Sequence, residues 1–379
     1  MKPIYFDHAS TTPVDPQVIM AMSPFFFEKF GNPSSPHAIG RDAQKALEDS
    51  RAIIANFIGA KSEEVVFTSS ATESNNHAIF GIAQSLKNKG NHIIVSSIEH
   101  HSVLEPILEL KRQGFDVTIL PVDAEGLVDP LDVKNAITSR TILIAVIHAS
   151  NEIGTIEPVS EIGHIAREHQ IPFLVDAVQT FGQISVNVND LKADLLTISG
   201  HKVYGPKGIG ALYLRKGLNI QKLLMGGDQE RDRRASTQNV AGAVGFAAAV
   251  KILSEKMNDD VKSQIILRDK LLSEIPERIS GTKINGSLKD RLSKNAHFSF
   301  EGIDGQALLV NLDMAGIAAS MGSACTSGEI KPSRVLKAIG LSDELAFGSL
   351  RLTLGRWTRL EDVEYLLEKL PRIIEQLRR

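Results

Sequence analysis

Leu195-Leu196-Thr197-Ile198-Ser199-Gly200-His201-Lys202-Val203-Tyr204-Gly205-Pro206-Lys207-Gly208 is an apolar strand that runs into small and polar residues, then a lysine, then a glycine-rich turn. The strand does not alternate apolar with polar residues, which is how a strand buried on both faces reads. Runs of the same kind occur at Val65–Ser69, His92–Ser97, Val117–Pro121, Thr141–His148, Pro172–Asp176 and Gly210–Arg215. Helical patterns such as Arg41–Phe57, Ser102–Gln113 and Pro158–His169 lie between them and are long enough for crossovers. Strand, helix, strand in this rhythm predicts a three-layer α/β/α domain on a mostly parallel, seven-stranded sheet.

With 379 residues the chain exceeds what one core usually supports. A large domain is expected over 14–257. A smaller α+β domain is expected from 1–13 and 258–379, with strands near Asn295–Phe300, Ala318–Ser320 and Leu350–Leu354. A long helix, about Asn239–Lys256, joins the two. The polar, glycine-led segment 226–239 reads as an exposed loop.

Hydrophobic residues are 42%, charged residues 23%, and the net charge is −3. This is an ordinary globular composition, and it argues against direct, charge-driven binding to nucleic acid or an anionic membrane. No apolar run approaches the length of a membrane span. An acid interrupts the N-terminus before any apolar region forms, so no signal peptide is read, and a cytoplasmic location is expected. The sole cysteine, Cys325, excludes an internal disulfide and a Cys-rich metal site, and no metal is expected.

A lysine just past a buried strand, where such sheets bind ligands, can lose its proton and form a Schiff base. A solvated loop lysine is the plain alternative to this for Lys202, although Ser199 and His201 beside it could donate to a phosphate. In Val65–Asn75 a strand ends in hydroxyl residues and a helix begins, and the free backbone N–H groups and helix dipole there suit an anion. Ordinary capping by Ser70 or Thr72 explains it equally. Asp176 ends an apolar strand, where it could pair with a protonated ring nitrogen or simply cap the next helix. One of His100 and His101 could stack on a flat ring, or both could be exposed loop residues. Cys325, in Met321-Gly322-Ser323-Ala324-Cys325-Thr326-Ser327-Gly328, sits among small residues that read as a loop. That setting balances a reactive thiol against an inert one.

Taken in order, these segments resemble the cysteine desulfurases of the NifS/IscS type in the class V aminotransferase group. The landmarks run from Tyr5-Phe6-Asp7-His8-Ala9-Ser10-Thr11-Thr12-Pro13 through Phe30-Gly31-Asn32-Pro33, Ala71-Thr72-Glu73-Ser74, Glu99-His100 and Asn151-Glu152-Ile153-Gly154. They continue through Asp176-Ala177-Val178-Gln179, Ser199-Gly200-His201-Lys202 and Gly322–Ser327 to Arg351. The resemblance implies a pyridoxal 5'-phosphate enzyme that converts L-cysteine to L-alanine and leaves the sulfur as a persulfide on Cys325. By it, Lys202 binds the cofactor covalently and moves the substrate Cα proton. Asp176 meets the ring nitrogen, Gln179 the ring hydroxyl, and His100 stacks on the ring and serves in acid–base work. Ala71, Thr72, Ser199 and His201 hold the phosphate, with Thr237 lent by the other subunit of a homodimer. Asn151 contacts the cofactor and substrate, and Asn32 and Arg351 hold the substrate carboxylate.

The chain departs from the family at Ser70, Ser150 and Ser236, where glycine, asparagine and glycine are usual. A positive φ at 236 would make Ser236 costly. The chain stops at Arg379, short of the tail with which longer relatives dock an iron–sulfur scaffold. The expected sulfur acceptor is therefore either such a scaffold or a tRNA-thiolation enzyme. A selenocysteine lyase or other class V enzyme is the rival of the same fold, and a non-catalytic sulfur-pathway protein is the rival of another class.

Overall fold

A computed structural model describes residues 3–321 and 332–379. Its large sheet has seven strands in the order Val65–Thr68, Gly210–Leu214, Leu195–Ser199, Phe173–Asp176, Thr141–Ile147, His92–Ser96 and Asp116–Leu120. All neighbours are parallel except Gly210–Leu214, which runs antiparallel to the strands on both its sides. Each expected strand is present to within two residues at either end. The central strands are buried on both faces, whereas the edge strand Asp116–Leu120 is largely open and begins with a charge. Such a charge protects a free edge from adding further strands.

The two faces carry separate apolar clusters. Ile94, Ile144, Val146, Phe173, Val175, Leu196 and Ile198 face the helix Ala38–Phe57 and the first half of the helix Val240–Arg278, through Leu47, Ile54, Phe246 and Val250. Ile93, Val95, Leu143, Ala145, Leu174 and Leu195 face the helices Ala71–Leu86 and His101–Arg112, through Ile79, Ile82, Val103 and Ile107. The alternation missing from polarity is thus present in packing, and it gives the three layers expected.

The helix expected to stop near Lys256 runs on to Arg278. The polar stretch around 255–262 resembles a stop, yet it is only the solvent-exposed bridge between two buried stripes. Past it Leu267, Leu271 and Ile275 recur at helical spacing and enter a second core with Phe298, Phe300, Leu350, Leu352 and Leu366. That core lies under a three-stranded antiparallel sheet, Ser349–Thr353, Asn295–Phe300 and Thr282–Ile284. The chain start joins it: Ile4–Tyr5 pairs in parallel with Ile317–Ala318, and Asp7 bridges to Thr353. Cys325 and its neighbours 322–331 lie outside the described residues.

Segment 226–239 is not simply an exposed loop. Glu230 is 5% exposed. Its carboxylate takes both Nη atoms of Arg51, at 2.5 and 2.9 Å, and the backbone N–H of Phe67 at 2.8 Å. Arg51 also donates to the Val65 carbonyl and lies over the Phe67 ring. To place that carboxylate, Glu230, Arg231 and Asp232 all take left-handed φ, 49°, 58° and 64°. L-residues resist this by about 1–2 kcal/mol each, so the buried pair must hold the turn. Replacing Glu230 with alanine should lower unfolding free energy by about 3–5 kcal/mol, because it strands a buried guanidinium. Urea titration measures this, and the double change Arg51→Met with Glu230→Leu should recover much of the loss.

Candidate functional site

The C-terminal ends of Thr141–Ile147, Phe173–Asp176 and Leu195–Ser199 open onto one cleft of about 370 Å3. The start of the helix Ala71–Leu86 and the chain segment Ala9–Ser10 close its other sides. The carboxyl edge of a mostly parallel sheet is where such folds bind ligands.

One end of the cleft is built for an anion. Ser70 is the N-cap: its φ is −171°, and its hydroxyl accepts from the Glu73 N–H at 3.2 Å. Of the two readings set against each other in the sequence, capping is made by Ser70, and it leaves other N–H groups of the helix start free to take an anion. The cap uses the Glu73 N–H, while Ala71 and Thr72 begin the helix with N–H groups that no helical carbonyl can reach. Ser199 and His201 line the same end. A Cβ at Gly210 would stand 2.7 Å from the Ser70 carbonyl carbon, so only glycine lets the neighbouring strand approach this turn.

The other end is acidic. Asp176, 4% exposed, accepts from the Val178 N–H at 3.0 Å and from Asn75 Nδ2 at 2.9 Å. The second Asn75 amide proton goes to Ser102 Oγ at 2.9 Å. The Ser102 hydroxyl lies 2.8 Å from His100 Nδ1, and the Ser102 N–H donates to that same nitrogen at 3.1 Å. His100 Nδ1 is therefore an acceptor, and the neutral ring carries its proton on Nε2. Burial lowers the basicity of His100. Asp176 opposes that, while the charges of Lys202, His101 and Arg334 add to it. His101 points away, exposed, beside Glu105. Of the histidine pair, His100 alone lines the cleft.

Lys202 enters from the side, one turn past Leu195–Ser199. Its ammonium donates to the carbonyls of Ala9 and Ser10, the latter at 2.8 Å. It is pushed down to about 8, by burial first and by Arg351 next, with Asp176 and Asp7 opposing. Its neutral amine is thus populated from about pH 8 upward, against about 10.4 for an ordinary lysine. His201 is pushed down to about 4, by burial and then by Lys202 and Lys207, so it meets an anion as a neutral ring whose Nδ1 lies 3.1 Å from Thr11 Oγ1.

Arg351, 3% exposed, donates to Asn151 O, Asp7 Oδ1 and Ser10 Oγ, each at 2.8 Å. Its Nε is buried with no partner among the described residues. Gln179 donates to the Ala9 carbonyl at 3.0 Å, and its Oε1 is buried with no partner among the described residues. Ala71, Thr72, His100, Asn151, Asp176, Gln179, Ser199, His201, Lys202 and Arg351 are therefore brought together. Asn32 and Thr237 are not: both are exposed, neither lines the cleft, and Asn32 Oδ1 caps a local turn at Ser34. Ser236 has φ 105°, in the region where glycine is favoured.

Asn75, Ser102, Ala9, Ser10 and Asp7 were given no role from sequence. Asn75 was only the last residue of a strand-to-helix stretch, and Ser102 the first of a crossover helix. Asp7-His8-Ala9-Ser10 was visible as a landmark, but nothing local ties it to a strand 344 residues away, as the Asp7–Arg351 contact does.

The residues present fit pyridoxal phosphate. An anion seat, a carboxylate for a ring nitrogen, and an amine of lowered basicity share one cleft, and two buried polar atoms within it lack a bond among the described residues. A family model described as aminotransferase class-V matches residues 4–366. A cysteine desulfurase IscS of Dictyoglomus turgidum is 52% identical over 375 residues, covering 99% of this chain and 95% of the relative. Among solved structures, a NifS-like protein superposes with a TM-score of 0.93 at 36% identity, covering 99% of this chain and all of that one. Another, SspA in complex with cysteine, gives 0.84 at 37% identity over 94% of this chain and all of that one.

Asn75→Leu should weaken retention of pyridoxal phosphate by on the order of tenfold or more, since a hydrogen bond to a buried charge contributes about 1.5–3 kcal/mol. Equilibrium binding to the cofactor-free protein measures this. Trace acylation of that protein near pH 8, read by peptide mass spectrometry, should label Lys202 ahead of the exposed Lys45, whose basicity Asp49 raises.

Proposed function

Because the chain belongs to the class-V aminotransferase family, and within it to the pyridoxal-phosphate-dependent cysteine desulfurases, we propose that Lys202 binds the cofactor and Cys325 receives the sulfur. The observation that carries this reading is the convergence of the Lys202 amine, the Asp176 carboxylate and the helix start at Ala71 on one cleft.

Ala71, Thr72, Ser199 and His201 hold the phosphate. Asp176, kept in place by Asn75 and the Val178 N–H, keeps the ring nitrogen protonated. Gln179 meets the ring hydroxyl, and His100 lies against the ring face with its proton on Nε2. When bound, the cofactor supplies an electron sink for the carbon that loses its proton. Lys202, released by the incoming L-cysteine, takes the Cα proton as a free amine, which its lowered basicity favours.

Arg351 suits the substrate carboxylate because a planar fork matches it in a bidentate way. It is already aligned by Asp7, Ser10 and Asn151, and its Nε, without a partner among the described residues, has a bond to make. Asn151 and Asn32 complete that seat in this reading. The Cys325 thiolate attacks the substrate sulfur; the S–S bond forms as the C–S bond breaks, and the carbon, once protonated, leaves as L-alanine.

The assembly in this reading is a homodimer in which each chain's Thr237 reaches the other's phosphate site. An exposed Thr237 outside its own cleft supports that, as do the exposed Met20, Phe26, Phe27 and Phe30. The large domain over 14–257 and the small one over 1–13 and 258–379, a cytoplasmic location, and an iron–sulfur scaffold or tRNA-thiolation enzyme as acceptor belong to the same proposal.

Lys202→Ala should bind no cofactor covalently and show no visible absorbance after reconstitution. Cys325→Ala should keep the absorbance while sulfide release from L-cysteine falls to background. Normal turnover in the second variant would overturn the role given to Cys325.

A further inference from the structure

Lys202 borders a second space. Behind it lies a cavity of about 10 Å3, walled by His8, Gln183, Tyr204, Asp260 and Lys294 among others. This is room for about one water molecule. Among the described residues, Lys202 alone lines both this cavity and the cleft.

Lys294 is 3% exposed and forms no ion pair among the described residues. Its carbonyl, taken by the Leu354 N–H at 2.8 Å, fixes its place in the small sheet. Two ammonium groups facing one small cavity, Lys294 buried and Lys202 half-buried, repel each other, and one gives up its proton. Lys294 is pushed down to about 7, by burial first and then by Lys202 and Arg351, below Lys202 at about 8. Between those values the proton rests mainly on Lys202 and Lys294 is a free amine.

The other groups facing the pair cannot take its place. His8 is pushed down to about 4 by burial, and its Nδ1 is engaged at 2.9 Å by the Thr353 carbonyl. Asp260 is held by Arg356 at 2.8 Å. Tyr204, pushed up to about 12 by burial, keeps its proton. Asp7 is paired with Arg351, and Asp176 with Asn75 and the Val178 N–H. His100 and His201 line the cleft, on the far side of Lys202.

We propose that Lys294 accepts, through one water in this cavity, the proton that Lys202 must lose to become a nucleophilic amine. The Lys202 ammonium gives a proton to the water as the water gives one to Lys294, leaving a neutral Lys202 and a charged Lys294 with no electrons exchanged. The Lys202 lone pair then attacks the cofactor aldehyde carbon and one water leaves. Lys294 touches neither cofactor nor substrate. It acts through Lys202, and the inference rests on the role given to Lys202 above.

The test counts protons when pyridoxal phosphate is added to cofactor-free protein near pH 7.5, by calorimetry in two buffers of different ionisation enthalpy. The same titration with pyridoxine phosphate, which lacks the aldehyde, is subtracted. Lys294→Met should release on the order of half a proton more per site than the wild type, and capture should slow by about tenfold. Equal counts in the two proteins would overturn the proposal. Methionine for a buried ammonium of similar volume should not impair folding. The wild type alone gives a second measure. Its proton release should rise toward one as pH falls from about 7.5 to 6, because Lys294 is then charged beforehand; a flat count refutes the relay. Lys202→Ala, by contrast, should capture no cofactor covalently, and if it did so normally the earlier reading would fail rather than this one.

Discussion

The guanidinium of Arg351 cannot be taken out of water unless acceptors meet it from several directions. It is buried in a strand of the small sheet, and its partners come from elsewhere: the Asn151 carbonyl from a loop at the end of a large-sheet strand, and Asp7 and Ser10 from the start of the chain. The same segment offers the Ala9 and Ser10 carbonyls to Lys202 and the Ala9 carbonyl to Gln179. One stretch of about four residues thus sets the positions of two cationic groups and an amide. The cleft keeps its shape because these demands are met together, and an error in any one would leave a buried charge without a partner.

The large sheet was legible because its strands differ from every other segment in composition. Thr141–Ile147 and Leu195–Ser199 have almost nothing polar to offer solvent, and their ends fell where the apolar run ended. The length of the helix Val240–Arg278 was not legible, since its middle is solvated and only the spacing of Leu267, Leu271 and Ile275 shows that it continues. The two-residue strand Ile4–Tyr5 is too short to carry a pattern, and its partner is more than 300 residues away. In the site, residues that end strands or start helices announced themselves: Asp176, Lys202, Ala71. Asn75 and Ser102 did not, because each acts by holding another side chain, and only the fold shows which one.

The polar segment 226–239 shows a related limit. Its charges suggested solvent, yet Glu230 is among the more buried carboxylates of the chain. Composition reports how many charges a segment has, not where their partners lie. The left-handed turn at Glu230–Asp232 and the φ of 105° at Ser236 place backbone strain immediately before Thr237. Strain of this kind persists only where the surroundings over-determine it. Here the Arg51–Glu230 pair and the Arg234–Glu73 pair, the latter at the first turn of the helix that begins at Ala71, supply that restraint.

Synthesis runs from the N-terminal side to the C-terminal side, and this gives the pairing of Ile4–Tyr5 with Ile317–Ala318 and of Asp7 with Thr353 a temporal meaning. Ile4–Tyr5 and Asp7 have no place to go until Ile317–Ala318 and Thr353, more than 300 residues later, have been made. At about 5–20 residues per second that wait is roughly 20–70 s. During it the large sheet can form, but the wall made by Ala9 and Ser10 is missing and Lys202 has no carbonyls to hold it. The nascent chain therefore passes through a state with a folded sheet and an unfinished cleft, and it becomes competent to hold its cofactor only after its C-terminal part has been translated.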